Sequence, residues 1–146
     1  MTVVFPCTVY QHETLGEIVL PYASIVLYHA DRSFAGEFLV DSGADITLIP
    51  RGVGELLGLA SRAGDVSDVG DIRGTLSVVY REVEMQIGTE RLRARVAWAL
   101  TEDVPLILGR LDVFDVFDVE FRQRERCTIF RRAAAGSVPA TKRIDV

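Results

Sequence analysis

An aspartate directly follows an apolar run, in a setting that could support acid-base chemistry. The run Phe38–Val40 leads into Asp41, Ser42 and Gly43, and a second run begins at Ile46. An ionised carboxylate at the end of a buried strand costs several kcal/mol unless it has partners. It can be retained as a group that transfers protons, or it can open a turn by accepting main-chain N–H bonds. An isolated Asp-Ser-Gly tripeptide usually marks a turn, so the rest of the sequence has to decide.

A second segment further along the chain changes the interpretation. The apolar run Pro105–Leu108 leads into Gly109 and Arg110, and an alternation of apolar and acidic residues follows as far as Phe121. Together the two segments resemble the retropepsin family of aspartic proteases, in particular its soluble non-viral members. In that family an apolar-apolar-Asp-Ser/Thr-Gly-Ala segment precedes an apolar-apolar-Gly-Arg segment and a short helix. The resemblance covers roughly Ser24 to Phe121.

The resemblance implies a fold and a role for each residue of the first segment. The expected fold is an all-β acid-protease barrel with one or two short helices and one active-site loop per subunit. Asp41 would be the catalytic acid, and Ser42 would hydrogen-bond across a dimer interface. Gly43 would let the backbone approach the substrate closely, because it carries no side chain. Ala44 would complete the loop that supports Asp41.

The resemblance also implies substrate contacts outside the loop. Asp45 corresponds to an acid that contacts the substrate backbone and forms a structural ion pair with Arg110. A glycine-flanked hairpin within 68–76 is the candidate flap that closes over the substrate. Its proposed substrate-binding residues are Gly70, Asp71, Ile72, Arg73 and Gly74. An ordinary solvated hairpin is the alternative, because Asp71 and Arg73 make this tip more charged than the flaps of the family.

The number of aspartates in the motif predicts an oligomer. Hydrolysis by an activated water needs one group to accept a proton while another donates one. The sequence has a single Asp-Ser/Thr-Gly segment and is too short for a duplicated lobe. We therefore expect a homodimer in which two Asp41 carboxyls approach a two-fold axis and share one proton. Such an endopeptidase would cleave peptides best at acidic to mildly acidic pH.

Two alternatives to this enzyme stay open at the level of sequence. The first is a dimer of the same fold that has no proteolytic activity and serves as a peptide-binding or assembly module. The second is a monomeric β-barrel binding protein. The intact Asp-Ser-Gly segment favours catalysis, because a binding module has no evident need to hold two acids together. Ile46, Ile72, Val104 and Leu106 are candidates for apolar substrate pockets.

Composition excludes several other classes of protein. The 146 residues carry a formal net charge of −5, the wrong sign for a protein that neutralises phosphates, so no nucleic-acid partner is expected. The longest stretch without a charge, 18–30, is shorter than the roughly 20 residues of a membrane span, and no secretion signal is recognisable. We expect a cytoplasmic protein without metal or cofactor, in which Cys7 and Cys127 stay reduced.

Short apolar runs broken by Gly, Pro or Asp predict a mainly β chain. The predicted strands are 17–20, 24–28, 35–40, 47–49, 74–87, 91–99, 105–108, 119–122 and 127–131. The clearest hairpin turns at Gly88, with Leu92, Ala94, Val96 and Trp98 directed inward. Two short helices are predicted at 51–59 and 111–117. Residues 1–132 would form the protease domain and 133–146 a flexible C-terminal tail.

Overall fold

The computed structural model describes residues 1–71 and 74–145 and is built almost entirely of β-strands. The strands are β1 (Thr2–Pro6), β2 (Thr8–His12), β3 (Gly16–Leu20), β4 (Tyr22–His29), β5 (Arg32–Val40), β6 (Thr47–Ile49), β7 (Val66–Asp71), β8 (Gly74–Ile87), β9 (Glu90–Ala99), β10 (Ile107–Leu108), β11 (Phe117–Arg122) and β12 (Cys127–Arg132). One helix, α1 (Arg51–Leu56), is present in this part of the chain. No helix in it has the length and apolar composition needed to cross a membrane.

The central sheet closes on itself into a barrel. Its strands follow the order β4-β5-β10-β6-β9-β8-β7, and β4 also pairs with β8. The short strand β10 lies between the two strands of the first motif, parallel to β5 and antiparallel to β6. The closed sheet therefore brings both sequence motifs side by side, and the all-β barrel predicted from them is confirmed.

The β8–β9 hairpin has the predicted alternation at its outer end. Arg91, Arg93 and Arg95 are exposed, and Ala94 lies in the core between them. From Val96 onward the strand is buried on both faces. Ala97 and Ala99 belong to a second apolar cluster with Val78, separate from the main core. This second cluster forms the apolar floor of the cleft described below.

Helix α1 is shorter than predicted, because Gly58 ends it. The Gly58 N–H donates to the carbonyl of Glu55, and the Leu59 N–H donates to that of Gly54. Gly58 has a φ of +71°, the left-handed conformation that commonly terminates helices. Inside the helix, Gly54 packs directly on Trp98, whose indole N–H donates to the carbonyl of Arg51 at 3.0 Å. Trp98 is buried in the core, as expected.

The prediction of a second helix at 111–117 was wrong. Residues 111–116 form consecutive turns, and Phe117 already begins β11. Asp112 has a φ of +67°, which no residue inside a right-handed helix adopts. The carboxylate of Asp112 binds Arg95 on β9, so a tertiary contact overrides the helical spacing of Leu111, Phe114 and Phe117.

The amino-terminal strands β1 and β2 were not predicted. Strand β1 pairs with β12, which comes about 120 residues later in the chain, and β12 pairs with β11. Phe130 of β12 packs edge to face on Phe5 of β1 and Phe117 of β11, at 5.5 and 5.7 Å between ring centres, and all three rings belong to the main core. Cys7 and Cys127 are free and half-buried. Residues 133–145 have no regular secondary structure.

Candidate active site

Asp41 is the first residue after β5, and the second motif holds its main chain. The Asp41 N–H donates to the carbonyl of Leu108 at 3.0 Å, and two residues earlier the Leu39 N–H donates to that of Leu106 at 3.0 Å. The parallel pairing of Leu39 with Ile107 and of Val40 with Leu108 lies between these bonds. The position of Asp41 is therefore set by the strand that precedes Gly109.

The loop after Asp41 folds back on its side chain. The Gly43 N–H donates to Asp41 Oδ1 at 2.9 Å, and the Ala44 N–H donates to the Asp41 carbonyl at 3.2 Å. Asp41 and Ala44 are half-buried, whereas Ser42 and Gly43 are exposed. A β-carbon on Gly43 would lie 3.2 Å from Asp41 Oδ1, so the glycine keeps space beside the carboxylate. Asp41 thus forms the turn that was the alternative to a proton-transferring role, and the turn orients its carboxylate.

Main-chain hydrogen bonds join the two motifs further along. The Arg110 N–H donates to the carbonyl of Ala44 at 3.0 Å, and the Leu111 N–H donates to that of Asp45 at 2.8 Å. Behind them the Gly109 N–H donates to the hydroxyl of Thr47 at 3.1 Å, and Thr47 is completely buried. The Gly-Arg segment therefore stabilises the loop 41–45 from its far side.

The expected ion pair between Asp45 and Arg110 does not form within one chain. Both side chains are exposed, and no ion pair among residues 1–71 and 74–145 includes either of them. The main-chain bonds of Arg110 and Leu111 make the connection that the side chains were expected to make. The structure thus assigns the stabilising contact between the motifs to the backbone.

An ion pair between Asp112 and Arg95 lies behind the second motif. The Asp112 carboxylate accepts hydrogen bonds from the main-chain N–H of Arg95 at 2.9 Å and from its guanidinium at 2.8 and 3.0 Å. The hydrogen bond from the guanidinium lowers the pKa of Asp112. Arg95 thereby ties the turn after Arg110 to β9 in the barrel wall.

The candidate flap is a hairpin, as predicted, and it faces Asp41 across a cleft. Strands β7 and β8 pair in register, with Val69 opposite Leu76 and Gly70 opposite Thr75. Asp71 pairs with Gly74, which has a φ of +131°. Ile72 and Arg73, two of the proposed substrate contacts, lie outside the described residues.

The cleft has a volume of about 500 Å³ and combines acidic and apolar walls. Its walls are formed by Asp41, Gly43, Ala44, Asp45, Ile46, Leu48, Val69, Leu76, Val78, Tyr80, Ala97 and Ile107. Of the apolar residues singled out from sequence, Ile46 lines this cleft and Val104 lines a neighbouring pocket. Leu106 instead packs against the main core, and Ile72 lies outside the described residues. Within the described part of the chain, no cluster of His, Cys, Asp and Glu could hold a metal ion.

Several residues of the site were not identified from sequence. Thr47 was included only as a strand residue, although a threonine within the apolar run 46–49 is a signal for a buried hydrogen bond. Val69, Leu76 and Tyr80 reach the cleft because the hairpin folds over the barrel. In the sequence, no local pattern distinguishes these three residues from the residues of other exposed strands.

The comparisons with known proteins agree with this geometry at the level of the fold. No family model matches the chain, and no curated protein matches it in sequence. Among solved structures, a retropepsin-like aspartic protease from Rickettsia conorii is similar with a TM-score of 0.58 and 12% identity, over 88% of this chain and 98% of that one. EIAV protease, complexed with the inhibitor HBY-793, is similar with a TM-score of 0.50 and 19% identity, over 69% of this chain and 88% of that one.

At these identities the likeness concerns architecture, and the residue pattern was found independently of it. The barrel, the short strand β10 between the two motifs and the hairpin over the cleft are all features of this chain. The chain therefore has the retropepsin-like aspartic protease fold.

Proposed function

We propose that this protein is an aspartic endopeptidase that acts as a homodimer, with Asp41 of each subunit as the catalytic pair. One observation carries the proposal: the half-exposed Asp41 carboxylate lies on the wall of a cleft between a rigid loop and a hairpin. Catalytic carboxylates need such a combination, since they must reach substrate while their backbone is held in place. The fold shared with aspartic proteases supports the same function.

The dimer follows from the chemistry of the reaction. One Asp41 carboxylate accepts a proton from water as the water attacks the peptide carbonyl. The other Asp41, which holds the shared proton, donates it to the developing oxyanion. Among the described residues, Asp41 and Asp45 both line the cleft, but only Asp41 belongs to the Asp-Ser-Gly turn, in which the Gly43 N–H holds its carboxylate. A two-fold axis beside the Asp41 loop supplies the second Asp41.

The remaining residues of the motif have supporting roles in this proposal. Ser42 and Gly43 are exposed next to Asp41, where they can meet the second subunit and the substrate. Asp45 lines the cleft, at a position suited to contact an extended peptide backbone. The β7–β8 hairpin closes over the bound peptide and excludes water.

The experiment compares wild type with Asp41→Asn in a peptide-library cleavage assay from pH 3 to pH 8. Asp115→Asn is the matched control, because Asp115 is an exposed aspartate that does not line the cleft. We expect wild type and D115N to cleave at acidic to mildly acidic pH and D41N to have no activity. Sedimentation should give a dimer for all three proteins.

Each other outcome has a defined meaning. Equal cleavage by wild type and D41N, or a monomer at every concentration tested, contradicts the proposal. A dimer that binds peptides with no cleavage at any pH would make the protein a peptide-binding module of the same fold.

A further inference from the structure

A second pocket continues the catalytic cleft and carries its own acidic group. This pocket, of about 380 Å³, shares Leu48, Leu76 and Ile107 with the cleft. Beyond these shared side chains it is lined by Asp103 of the loop between β9 and β10. The two pockets therefore form one groove, with Asp41 and Asp45 in one part and Asp103 in the other.

Among residues 1–71 and 74–145, the carboxylates of the groove have no compensating cation. No Lys, Arg or His of residues 1–71 and 74–145 lines either pocket, and none forms an ion pair with Asp41, Asp45 or Asp103. Two other surface pockets of this chain contain arginine: one contains Arg93, and the other contains Arg81 beside Asp65. The described residues therefore give the groove a more negative lining than these two pockets have, which favours cationic ligands.

The shape of an extended peptide determines which part of a substrate reaches Asp103. Alternate side chains of an extended chain point to the same side, about 7 Å apart. Consider an extended peptide with an apolar side chain in the cleft, over Leu48 and Leu76. The side chain two residues away then points to the same side of the peptide, toward the second pocket. Aliphatic stems of Lys and Arg suit the apolar entrance of this pocket, formed by Val104 and Pro105, and their charged ends suit a carboxylate.

We propose that Asp103 selects substrates with a lysine or arginine two residues from the apolar side chain that occupies the cleft. The proposal rests on the proteolytic function proposed above and adds a substrate class to it. Because Asp103 is exposed, the ion pair is partly screened by water, and we expect a preference of several-fold for a basic over a neutral residue. Charge reversal in the substrate enlarges the preference, since attraction becomes repulsion.

The test uses peptides that differ only at this position, with Lys, Gln or Glu placed two residues from the apolar residue on either side of the scissile bond. We expect kcat/KM for the Lys peptide to exceed that for the Glu peptide about tenfold at low salt, and the ratio to fall in 1 M NaCl. Asp103→Asn should bring the ratio near one, and Asp103→Lys should invert it. The backbone N–H of Asp103 bonds to the hydroxyl of Thr101, and its carboxylate accepts no hydrogen bond from the described residues, so neither substitution removes a side-chain hydrogen bond among them.

Glu102→Gln is the matched control, because it removes the same charge from an adjacent exposed residue that lines neither pocket. E102Q should keep the wild-type preference. Cleavage that depends on Asp41 but is equal for Lys and Glu peptides overturns the charge selection and leaves the protease function standing. A preference for Lys that D103N does not reduce overturns the assignment to Asp103.

A binding measurement keeps the inference testable without turnover. Fluorescence anisotropy with the Asp41→Asn protein should show several-fold tighter binding of the labelled Lys peptide than of the Glu peptide, and D41N/D103N should bind both alike. Equal affinities in the D41N protein overturn the proposal. A preference in binding without any cleavage by wild type would refute the protease function alone.

Discussion

Gly109 and Ile46 are in such close contact that no side chain fits between them. A β-carbon on Gly109 would lie 2.3 Å from the carbonyl carbon of Ile46 and 2.4 Å from its oxygen. Both neighbouring atoms belong to the main chain, so rotation of a side chain cannot relieve the overlap. This contact joins the Gly-Arg segment to the loop that carries Asp41, which makes the glycine a steric requirement of the site.

Substitution Gly109→Ala should therefore damage stability and activity together. We expect a loss of about 3 kcal/mol or more in the free energy of unfolding, since the overlap can be relieved only by moving backbone. Denaturant titration measures this loss. Gly136→Ala is the control, because a β-carbon there meets open space, and it should stay within about 0.5 kcal/mol of wild type. A G109A protein as stable as wild type would contradict the packing described here.

The hydroxyl of Thr47 should contribute more to the free energy of unfolding than its methyl group does. Thr47→Val keeps the shape but leaves the buried Gly109 N–H without its acceptor, which we expect to cost about 1–3 kcal/mol. Thr47→Ser keeps the acceptor and removes one methyl group, which costs about 1 kcal/mol. Thermal unfolding of both variants measures the difference. A T47V protein more stable than T47S would show that the hydrogen bond contributes little.

The Asp112–Arg95 contact should make stability depend on pH in a defined direction. The pKa of Asp112 is lowered in the folded protein by the Arg95 guanidinium, so this contribution to stability is complete above its ordinary value of 3.8. It is lost as the pH falls through the lower, folded-state value. Asp112→Asn should be about 1 kcal/mol less stable than wild type at pH 7, where wild type has the charged contact.

This difference between wild type and D112N should shrink as the pH falls below 3.8 and through the lower folded-state pKa of Asp112, because the wild-type carboxyl then becomes protonated. Asparagine tolerates the left-handed backbone of residue 112, so D112N removes the charge and one acceptor oxygen without adding backbone strain. Asp112→Ala should be less stable than D112N at every pH, because alanine at this φ adds strain. Urea titrations at pH 7 and at a series of acidic pH values down to acid unfolding check both expectations, and a difference that stays constant over the whole series would contradict the first.

Two glycines of helix α1 should respond to alanine in opposite directions. Helix propensity alone favours alanine over glycine by about 1 kcal/mol. At Gly54 the new β-carbon would lie 2.0 Å from the indole nitrogen of Trp98, a buried ring with no room to move. At Gly52 the nearest atom, at 2.8 Å, is the carboxylate oxygen of the exposed Glu102, which can swing away.

We therefore expect Gly52→Ala to be neutral or stabilising and Gly54→Ala to lose about 1–3 kcal/mol. Paired denaturant titrations measure both free energies of unfolding. Equal stability of G52A and G54A would mean that propensity, and not the Trp98 contact, governs this helix.

The amino-acid sequence determined the local parts of this protein. Two motifs are local: an apolar strand followed by Asp41-Ser42-Gly43, and an apolar strand followed by Gly109-Arg110. Each is recognisable from residues that are adjacent in the chain. The glycine turn of the β8–β9 hairpin and the strand pattern around it are local in the same sense. Such patterns can be interpreted residue by residue. They predicted a mainly β chain, and the resemblance of the two motifs to the retropepsin family implied the barrel.

Tertiary structure decided the contacts between residues far apart in the chain. Residues 111–117 have helical spacing, but Arg95, 17 positions before Asp112, imposes turns. Asp45 and Arg110 are a reasonable pair by sequence, but backbone bonds to Ala44 and Asp45 hold the motifs together instead. Strand β1 forms through its pairing with β12 at the other end of the chain. Spacing along a sequence specifies which side chains share a face of one element, whereas the energy of a contact depends on distances that exist only after the sheet has closed.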